Sequence, residues 1–101
     1  MKVQFTRSVA ARWHDILVRI GSANRFAVQA FHLRVRSSLA RIGAYPQSGN
    51  PVCEYPAMSL REFIVGPYRF IYHVNERRKL VRIVAIWHGA QLPTQPDLSA
   101  P

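Results

Sequence analysis

Hydrophobic and polar positions in the first quarter of the chain follow two different periods. Residues 2–5, KVQF, place Val3 and Phe5 between polar neighbours, which is the two-residue period of a strand. From Ser8 to about Ile20, hydrophobic residues recur every three or four positions: Val9, Trp13, Ile16, Leu17 and Ile20. This is the period of a helix that buries one face. The pattern predicts a short strand followed by a helix.

A second helical stripe follows a glycine. Gly21 predicts the end of the first helix, and Ser22 or Asn24 can cap the next one. Its hydrophobic positions again follow the helical period: Ala27, Ala30, Phe31, Val35, Leu39 and Ile42. Gly43 predicts the end of this helix. Two helices joined by so short a turn predict an antiparallel helical hairpin.

The second half of the chain is typical of a loop followed by a sheet. Residues 43–58 contain three prolines and two glycines, a composition that favours loop structure. Three runs rich in β-branched and aromatic residues then follow, at positions 60–65, 68–74 and 79–87. Gly66-Pro67 separates the first two runs, and a polar turn at residues 75–78 separates the last two.

The predicted order of elements is β-α-α-β-β-β. The hairpin has one apolar stripe on each helix, and the sheet has one strongly apolar face, so the two layers cover each other. We therefore predict an α+β fold in which the helical hairpin packs on one face of a small antiparallel sheet. Residues 1–90 are predicted to form a single domain. Residues 91–101, which include three prolines, are predicted to form a flexible C-terminal tail.

Alternation along the middle strand separates its side chains into an apolar and a mixed set. Tyr68, Phe70, Tyr72 and Val74 share one face, which is predicted to pack on the helices. The opposite face carries Arg69, Ile71 and His73.

The turn lengths predict how neighbouring strands pair. The Gly66-Pro67 turn pairs Ile64 with Arg69 and places Glu62 opposite Ile71, diagonal to Arg69. The second turn is predicted to give three further pairs: Tyr72 with Val81, Ile71 with Arg82, and Phe70 with Ile83. With that register the helix-facing side of the last strand carries Val81, Ile83, Ala85 and Trp87. Arg69 and Arg82 then converge on the helix-free face with Glu62 nearby, and His88 is a further candidate there.

The charge balance changes this picture from a purely structural one. Fourteen lysines and arginines face five acidic residues, which gives a net charge of +9, and twelve of the fourteen are arginine. Guanidinium groups suit phosphate and carboxylate partners. Such an excess predicts an anionic partner, either a nucleic acid or an acidic protein.

The remaining composition excludes several kinds of site. Cys53 is the only cysteine, so an internal disulfide and metal sites built on paired cysteines are excluded. We expect no metal and no cofactor. There is no apolar N-terminal signal region and no run long enough to span a membrane, so we expect a cytoplasmic protein without membrane contact.

Several short motifs resemble the RelE/ParE toxins of type II toxin–antitoxin modules. These motifs are R-E-F-I-V followed by G-P-Y-R-F-I-Y within Arg61–Tyr72, the closing W-H-G-A of Trp87–Ala90, and the loop Tyr45–Pro51, which is similar to the FPxxGRP loop of the family. The resemblance implies the hairpin-on-sheet fold. It also implies growth arrest by one of two routes. RelE-like members cut mRNA in the ribosomal A site, whereas ParE-like members poison DNA gyrase.

Individual residues bear on the choice between these branches. RelE-like enzymes use lysines on the first strand after the helices, where this chain has Leu60, Arg61 and Glu62. No tyrosine follows the W-H-G-A motif, so His88 would be the only candidate for the general acid at the end of the sheet. An endoribonuclease would rely on the catalytic set Arg69, Arg82, Glu62 and His88. The R-E-F and W-H-G-A motifs are more similar to the ParE branch.

We therefore predict a ParE-like toxin that inhibits DNA gyrase or its DNA complex, with a RelE-like ribosome-dependent mRNA endoribonuclease as the alternative. The predicted binding surface comprises Arg61, Arg69, Ile71, His73, Arg82, Trp87 and His88. A third hypothesis is a non-toxic protein that binds nucleic acid. It would contact phosphates through the helix arginines Arg7, Arg12, Arg19, Arg25, Arg34, Arg36 and Arg41. The resemblance implies a cognate acidic antitoxin, which we expect to place an amphipathic helix in an apolar groove and acidic side chains near Arg69 or Arg82.

Overall fold

The computed structural model describes residues 1–89, 91 and 93–98, and its elements follow the predicted order. The helices and strands are β1 (Lys2–Phe5), α1 (Arg7–Ala23), α2 (Arg25–Ala44), β2 (Asn50–Pro51), β3 (Arg61–Val65), β4 (Tyr68–Asn75) and β5 (Leu80–His88). Two short 3₁₀ turns, Pro46–Ser48 and Pro56–Met58, lie in the loop between α2 and β3. No helix of the described residues is long and apolar enough to cross a membrane.

Both helices are longer than the sequence pattern predicts. α1 continues through Gly21 to Ala23, and α2 continues through Gly43 to Ala44, so the predicted helix ends at both glycines are wrong. A glycine inside a helix costs only about 1 kcal/mol, and the packing of the hairpin on the sheet outweighs that cost. Asn24 caps α2 as predicted, because its side chain accepts hydrogen bonds from the backbone N–H groups of Phe26 and Ala27 at 2.9 and 3.0 Å.

The sheet has five strands in the order β1-β5-β4-β3-β2. β1 runs parallel to β5, with Phe5 opposite Ile83, and the other neighbours are antiparallel. The helical hairpin packs on one face of this sheet, which confirms the predicted α+β class. β2 was not predicted, because its two residues are too few to show a period.

The predicted register is correct between β3 and β4 and wrong between β4 and β5. Ile64 pairs with Arg69 and Glu62 with Ile71, as the turn length indicated. In contrast, Tyr72 pairs with Ile83 rather than with Val81, while Ile71 pairs with Ala85. Val84 is thus the extra residue of a β-bulge, which a sequence pattern of uniform alternation does not reveal.

The residues of β5 that follow the bulge face the opposite side of the sheet from the one that uniform alternation predicts. The sheet has a hydrophobic core on each of its two faces. Of the four β4 residues predicted to face the helices, Tyr68, Phe70 and Tyr72 are buried in the helix-side core, and Val74 packs against it. The buried members of this core are Val9, Ile16, Phe31, Val35, Ile42, Phe63, Val65, Tyr68, Phe70, Tyr72, Val81, Ile83 and Ile86. A smaller core lies on the opposite face and contains Val52, Leu60, Ile71, Val84, Ala85 and Trp87. The predicted helix-facing placement of Ala85 and Trp87 is therefore wrong, because both follow the bulge.

Candidate functional site

Arg69 is the centre of an ionic cluster on the face of the sheet that the helices leave open. Its Nη1 and Nη2 atoms donate to the two carboxylate oxygens of Glu54 at 2.7 and 3.0 Å, and its Nε donates to Glu62 Oε1 at 2.6 Å. The guanidinium also lies 5.0 Å from the centre of the Trp87 ring. Glu62 arrives from β3 on the diagonal predicted from the turn, and Glu54 arrives from the loop after β2. We call Arg69, Glu54, Glu62 and Trp87 the Arg69 cluster.

The charges in the Arg69 cluster hold each other in place. The hydrogen bond from Arg69 lowers the pKa of the Glu54 carboxyl below its ordinary value of 4.5. The hydrogen bonds that Arg69 donates to Glu54 and then to Glu62 raise the pKa of Arg69 further above its ordinary range. The Arg69 and Glu62 side chains are only 23% and 12% exposed. Because the guanidinium already has two carboxylate partners, an incoming phosphate would have to displace them.

We expect the Arg69 cluster to make folding acid-sensitive. A carboxyl group with a depressed pKa in the folded state stabilises the fold above pH 4.5, and this contribution is lost as the pH falls through the folded pKa of Glu54. Replacing Arg69 with methionine should lower the free energy of unfolding by about 2 kcal/mol at pH 7 and by much less at pH 3. Urea unfolding at both pH values measures the difference.

Arg34→Met is the matched control, because Arg34 is exposed on α2. Its effect on the free energy of unfolding should be within about 0.5 kcal/mol at both pH values. An Arg69→Met variant that is equally destabilised at pH 7 and pH 3 would contradict an ionic role for the cluster.

Arg82 lies on the same face as Arg69 but far from it. It pairs with His73, which is four residues along β4 from Arg69. At 3.3 Å per residue and one strand spacing, the two arginine backbones are about 14 Å apart. Arg82 Nη2 donates to the backbone oxygen of Leu98 at 3.0 Å. The predicted shared face is therefore correct, whereas the predicted convergence is wrong because of the shifted register.

His88 lies on the opposite face of the sheet. Its ring contacts the Tyr68 ring edge to face, with 5.1 Å between centroids, and Tyr68 belongs to the helix-side core. The expectation that His88 joins Arg69 and Arg82 is therefore wrong. The bulge at Val84 is the reason, because it moves the later residues of β5 to the face opposite the one that uniform alternation predicts.

Comparison with protein families fits this arrangement of strands and motifs. The model of the ParE toxin of the type II toxin–antitoxin system, parDE, matches residues 3–93. The chain belongs to the ParE toxin family. A comparison with curated proteins finds no match. Membership confirms the resemblance found in the sequence and makes this protein the toxin of a type II module, for which the family implies a cognate antitoxin.

The motifs that indicated the ParE family occupy distinct parts of its sheet. R-E-F-I-V is the whole of β3, and G-P-Y-R-F-I-Y forms the turn and the first half of β4. Trp87 and His88 end β5, whereas Ala90 lies outside the described residues. These strand motifs thus lie in the sheet, whereas the family match itself also covers both helices.

Three further residues of the predicted ParE-like binding surface are held by internal contacts. Ile71 is 0% exposed in the smaller core. Trp87 is 3% exposed, and its Nε1 donates to the backbone oxygen of Thr94 at 3.0 Å. Arg61 points to the helix side, where it donates to Gln47 Oε1 and to the backbone oxygen of Gly49, each at 2.8 Å.

Besides Arg77, Arg78 and Lys79, which are exposed between β4 and β5, the basic surface of the toxin lies mainly on its helical hairpin. Of the seven arginines there, Arg12 is half-buried, and the exposed ones are Arg7, Arg19, Arg25, Arg34, Arg36 and Arg41. Within the described part of the chain, both ion pairs shorter than 4 Å belong to Arg69. Among the residues that the structure describes, no three His, Cys, Asp or Glu side chains lie together where they could hold a metal ion.

Sequence reasoning missed two contributors to this face. Glu54 lies in the proline-rich loop, where no periodic pattern predicts its position. It is one of only five acidic residues in a basic chain, and this scarcity is the signal that could have indicated an arginine partner. Residues 93–98 belong to the segment 91–101 that the sequence predicts as a flexible tail, and in the structure Thr94, Asp97 and Leu98 make hydrogen bonds with the domain.

Proposed function

We propose that this ParE-family toxin is a non-enzymatic inhibitor of DNA gyrase that its cognate acidic antitoxin neutralises. The dispersal of the candidate catalytic groups supports this proposal more than any other observation. Arg69 is occupied by two carboxylates, Arg82 lies about 14 Å away along the sheet, and His88 is on the other face. Cleavage of RNA requires these groups around one phosphate.

Chemistry explains why dispersal counts against an endoribonuclease. A general acid and a general base must each reach the reacting oxygens within hydrogen-bond distance, and a cation must contact the same phosphate. Glu62 is hydrogen-bonded to Arg69, so the candidate base neutralises the candidate phosphate ligand. A phosphate placed beside Arg69 would also meet the negative charge of Glu54.

A toxin that acts by binding needs no such convergence. Its requirements are a rigid scaffold and a surface whose charge complements the target. The exposed arginines of α1 and α2 and the net charge of +9 favour association with an acidic protein or with a protein–DNA complex. Both features are compatible with gyrase engaged on DNA.

A supercoiling assay with purified gyrase tests the proposal. Stoichiometric toxin is expected to suppress supercoiling of relaxed plasmid and to raise the amount of linear DNA released by detergent and protease. Preincubation with the cognate antitoxin should restore supercoiling. Toxin that has been unfolded by heat before it is added serves as the negative control.

The same preparation should be added to a translation extract, followed by primer extension on the mRNA. We expect uncut transcripts. Cuts within codons on translated mRNA, together with normal gyrase activity, would replace the proposal with the RelE-like alternative.

A further inference from the structure

Residues 93–98 lie in a groove between the start of α1 and the middle of β5, which we call the tail groove. Its walls are formed by Ser8, Val9, Arg12, Val84, Ala85, Ile86 and Trp87. Pro96 is buried there, while Thr94 and Gln95 remain exposed. The segment therefore sits in the groove as an extended peptide without secondary structure of its own.

Three hydrogen bonds in the tail groove are made to the backbone of the segment. The Trp87 indole donates to the Thr94 oxygen at 3.0 Å, and Arg82 donates to the Leu98 oxygen at 3.0 Å. The backbone N–H of Asp97 donates to the oxygen of Val84 at 2.7 Å. Contacts of this kind accept many sequences, as in proteins that bind peptides along a strand.

The β-bulge accounts for the acceptor at Val84. Pairing of β5 with β1 stops at Ile83, and Val84 is the extra residue opposite β4. A bulged residue is left out of the ladder, so its backbone groups can bind other chain segments. The bulge that separates Arg69 from His88 thus also builds the tail groove.

One contact in the groove is made to a carboxylate side chain. Ser8 Oγ donates to the carboxylate of Asp97 in the first turn of α1, a turn that contains no acidic residue of its own. A carboxylate at the start of a helix is stabilised by the N–H groups and dipole of that helix. Arg12 adds positive charge to the wall, and Arg82, which binds the end of the segment at Leu98, adds positive charge beside the groove.

The segment does not fill the space available to it. A cavity of about 310 Å³ remains between the walls of the groove and the residues Gln91, Thr94, Gln95 and Asp97. The family match covers every wall residue but ends at residue 93, so the groove belongs to the family part of the chain and most of its occupant does not.

We propose that the tail groove binds an extended acidic segment of the cognate antitoxin, and that residues 93–98 occupy the same groove as an internal competitor. This inference rests on the antitoxin that the family implies, and it does not depend on gyrase as the target. A partner segment would supply backbone acceptors to Trp87 and Arg82, a donor to Val84 and a carboxylate to Ser8.

Tethering makes such competition effective. A segment joined through a short linker has an effective concentration in the millimolar range. If the groove binds the free segment with a dissociation constant of about 0.1 mM, the tethered segment occupies it most of the time and weakens an outside ligand about tenfold.

Fluorescence anisotropy with a labelled peptide of residues 93–98, PTQPDL capped at both ends, tests the inference on the full chain. Asp97→Lys removes the internal carboxylate and should bind the labelled peptide about tenfold more tightly than the wild type does. A peptide in which asparagine replaces the aspartate should bind Asp97→Lys about tenfold more weakly. Unlabelled cognate antitoxin should displace the peptide.

Asp15→Lys is the charge-matched control, because Asp15 is exposed on α1 outside the groove. It should bind the peptide as weakly as the wild type. Circular dichroism establishes that both variants are folded, and Asp97→Asn replaces Asp97→Lys if the latter is not. Hydrogen exchange at the Asp97 amide gives an independent readout and should be slow in the wild type.

Equal peptide affinity of the wild type and the Asp97 variants, or rapid exchange at that amide, would overturn internal occupancy. A bound peptide that excess antitoxin fails to displace would overturn the assignment of the partner. Both results leave the supercoiling assay unaffected, so failure of this inference is distinguishable from failure of the proposed function.

Discussion

Replacing Phe70 with alanine is expected to lower the free energy of unfolding by about 4 kcal/mol, the largest single effect we predict. Phe70 is 0% exposed at the centre of the helix-side core. Its ring stacks on Phe63 with 4.8 Å between centroids and meets the Trp13 ring edge to face at 5.8 Å. Removal of the ring leaves a cavity that the helices and the sheet border together, so neither layer can close it alone.

The consequence should be visible in stability and in toxicity. A domain of this size is stable by about 5–15 kcal/mol, so the Phe70→Ala variant would retain little margin at growth temperature. Thermal unfolding followed by circular dichroism should show a midpoint lower by roughly 15–30 °C. Expression of the variant without antitoxin should no longer arrest growth.

Phe26→Ala is the matched control, because the Phe26 side chain is 70% exposed at the start of α2. Its midpoint should stay within a few degrees of the wild type, since surface substitutions usually change stability by less than about 0.5 kcal/mol. A similar decrease of the unfolding midpoint in both variants would show that the contacts of the Phe70 ring with Phe63 and Trp13 do not hold the two layers together.

Gly49→Ala is expected to cost about 3 kcal/mol, the second largest effect. Gly49 lies where the loop after α2 passes over β3 and β4. An added Cβ would lie 2.6 Å from the Glu62 backbone oxygen and 2.8 Å from Tyr72 Cε1, and it would overlap the Tyr72 hydroxyl. None of these groups can move easily, because Glu62 is in a paired strand and Tyr72 is fully buried.

The Tyr72 hydroxyl makes this clash more costly. It accepts a hydrogen bond from the Gly49 N–H at 2.9 Å and donates to the Pro46 oxygen at 2.8 Å, which ties the loop to the sheet. Burial raises the pKa of this hydroxyl, so it stays protonated and remains a donor over the whole physiological range. An alanine at position 49 would break both bonds.

Urea unfolding of Gly49→Ala and Gly66→Ala separates the clash from the backbone effect. Gly66 has a positive φ of 57° and no atom within 4 Å of an added Cβ. Gly66→Ala should therefore cost only the left-handed backbone term, about 1 kcal/mol. A Gly49→Ala variant as stable as Gly66→Ala would indicate that the loop moves to accommodate the added methyl group and is not held rigidly against the sheet.

The structure assigns different tasks to the two faces of the sheet. The helix side carries the large core and holds the fold together. The other face combines a small core with the Arg69 cluster, and the loop and tail of the chain itself bind Arg69 and Arg82 there. Most of the exposed arginines of the toxin therefore lie on the helices.

Hydrophobic periods in the sequence determined the elements, their order and the two-layer architecture, because burial of an apolar stripe or face depends on local spacing alone. The same spacing, with the Gly66-Pro67 turn, determined the pairing of β3 with β4 and the shared face of Arg69 and Arg82. The family followed from motifs that lie within the paired strands. Net charge indicated an anionic partner.

Only the tertiary structure decided which charges meet. The bulge at Val84 shifts the register of β5 and moves Trp87 and His88 to opposite faces from those predicted, and a bulge leaves no periodic signal because it is a single extra residue. Glu54 and Asp97 reach their partners from segments without a repeating pattern. Contacts between residues distant along the chain depend on the closed fold as a whole, and local spacing carries no information about them.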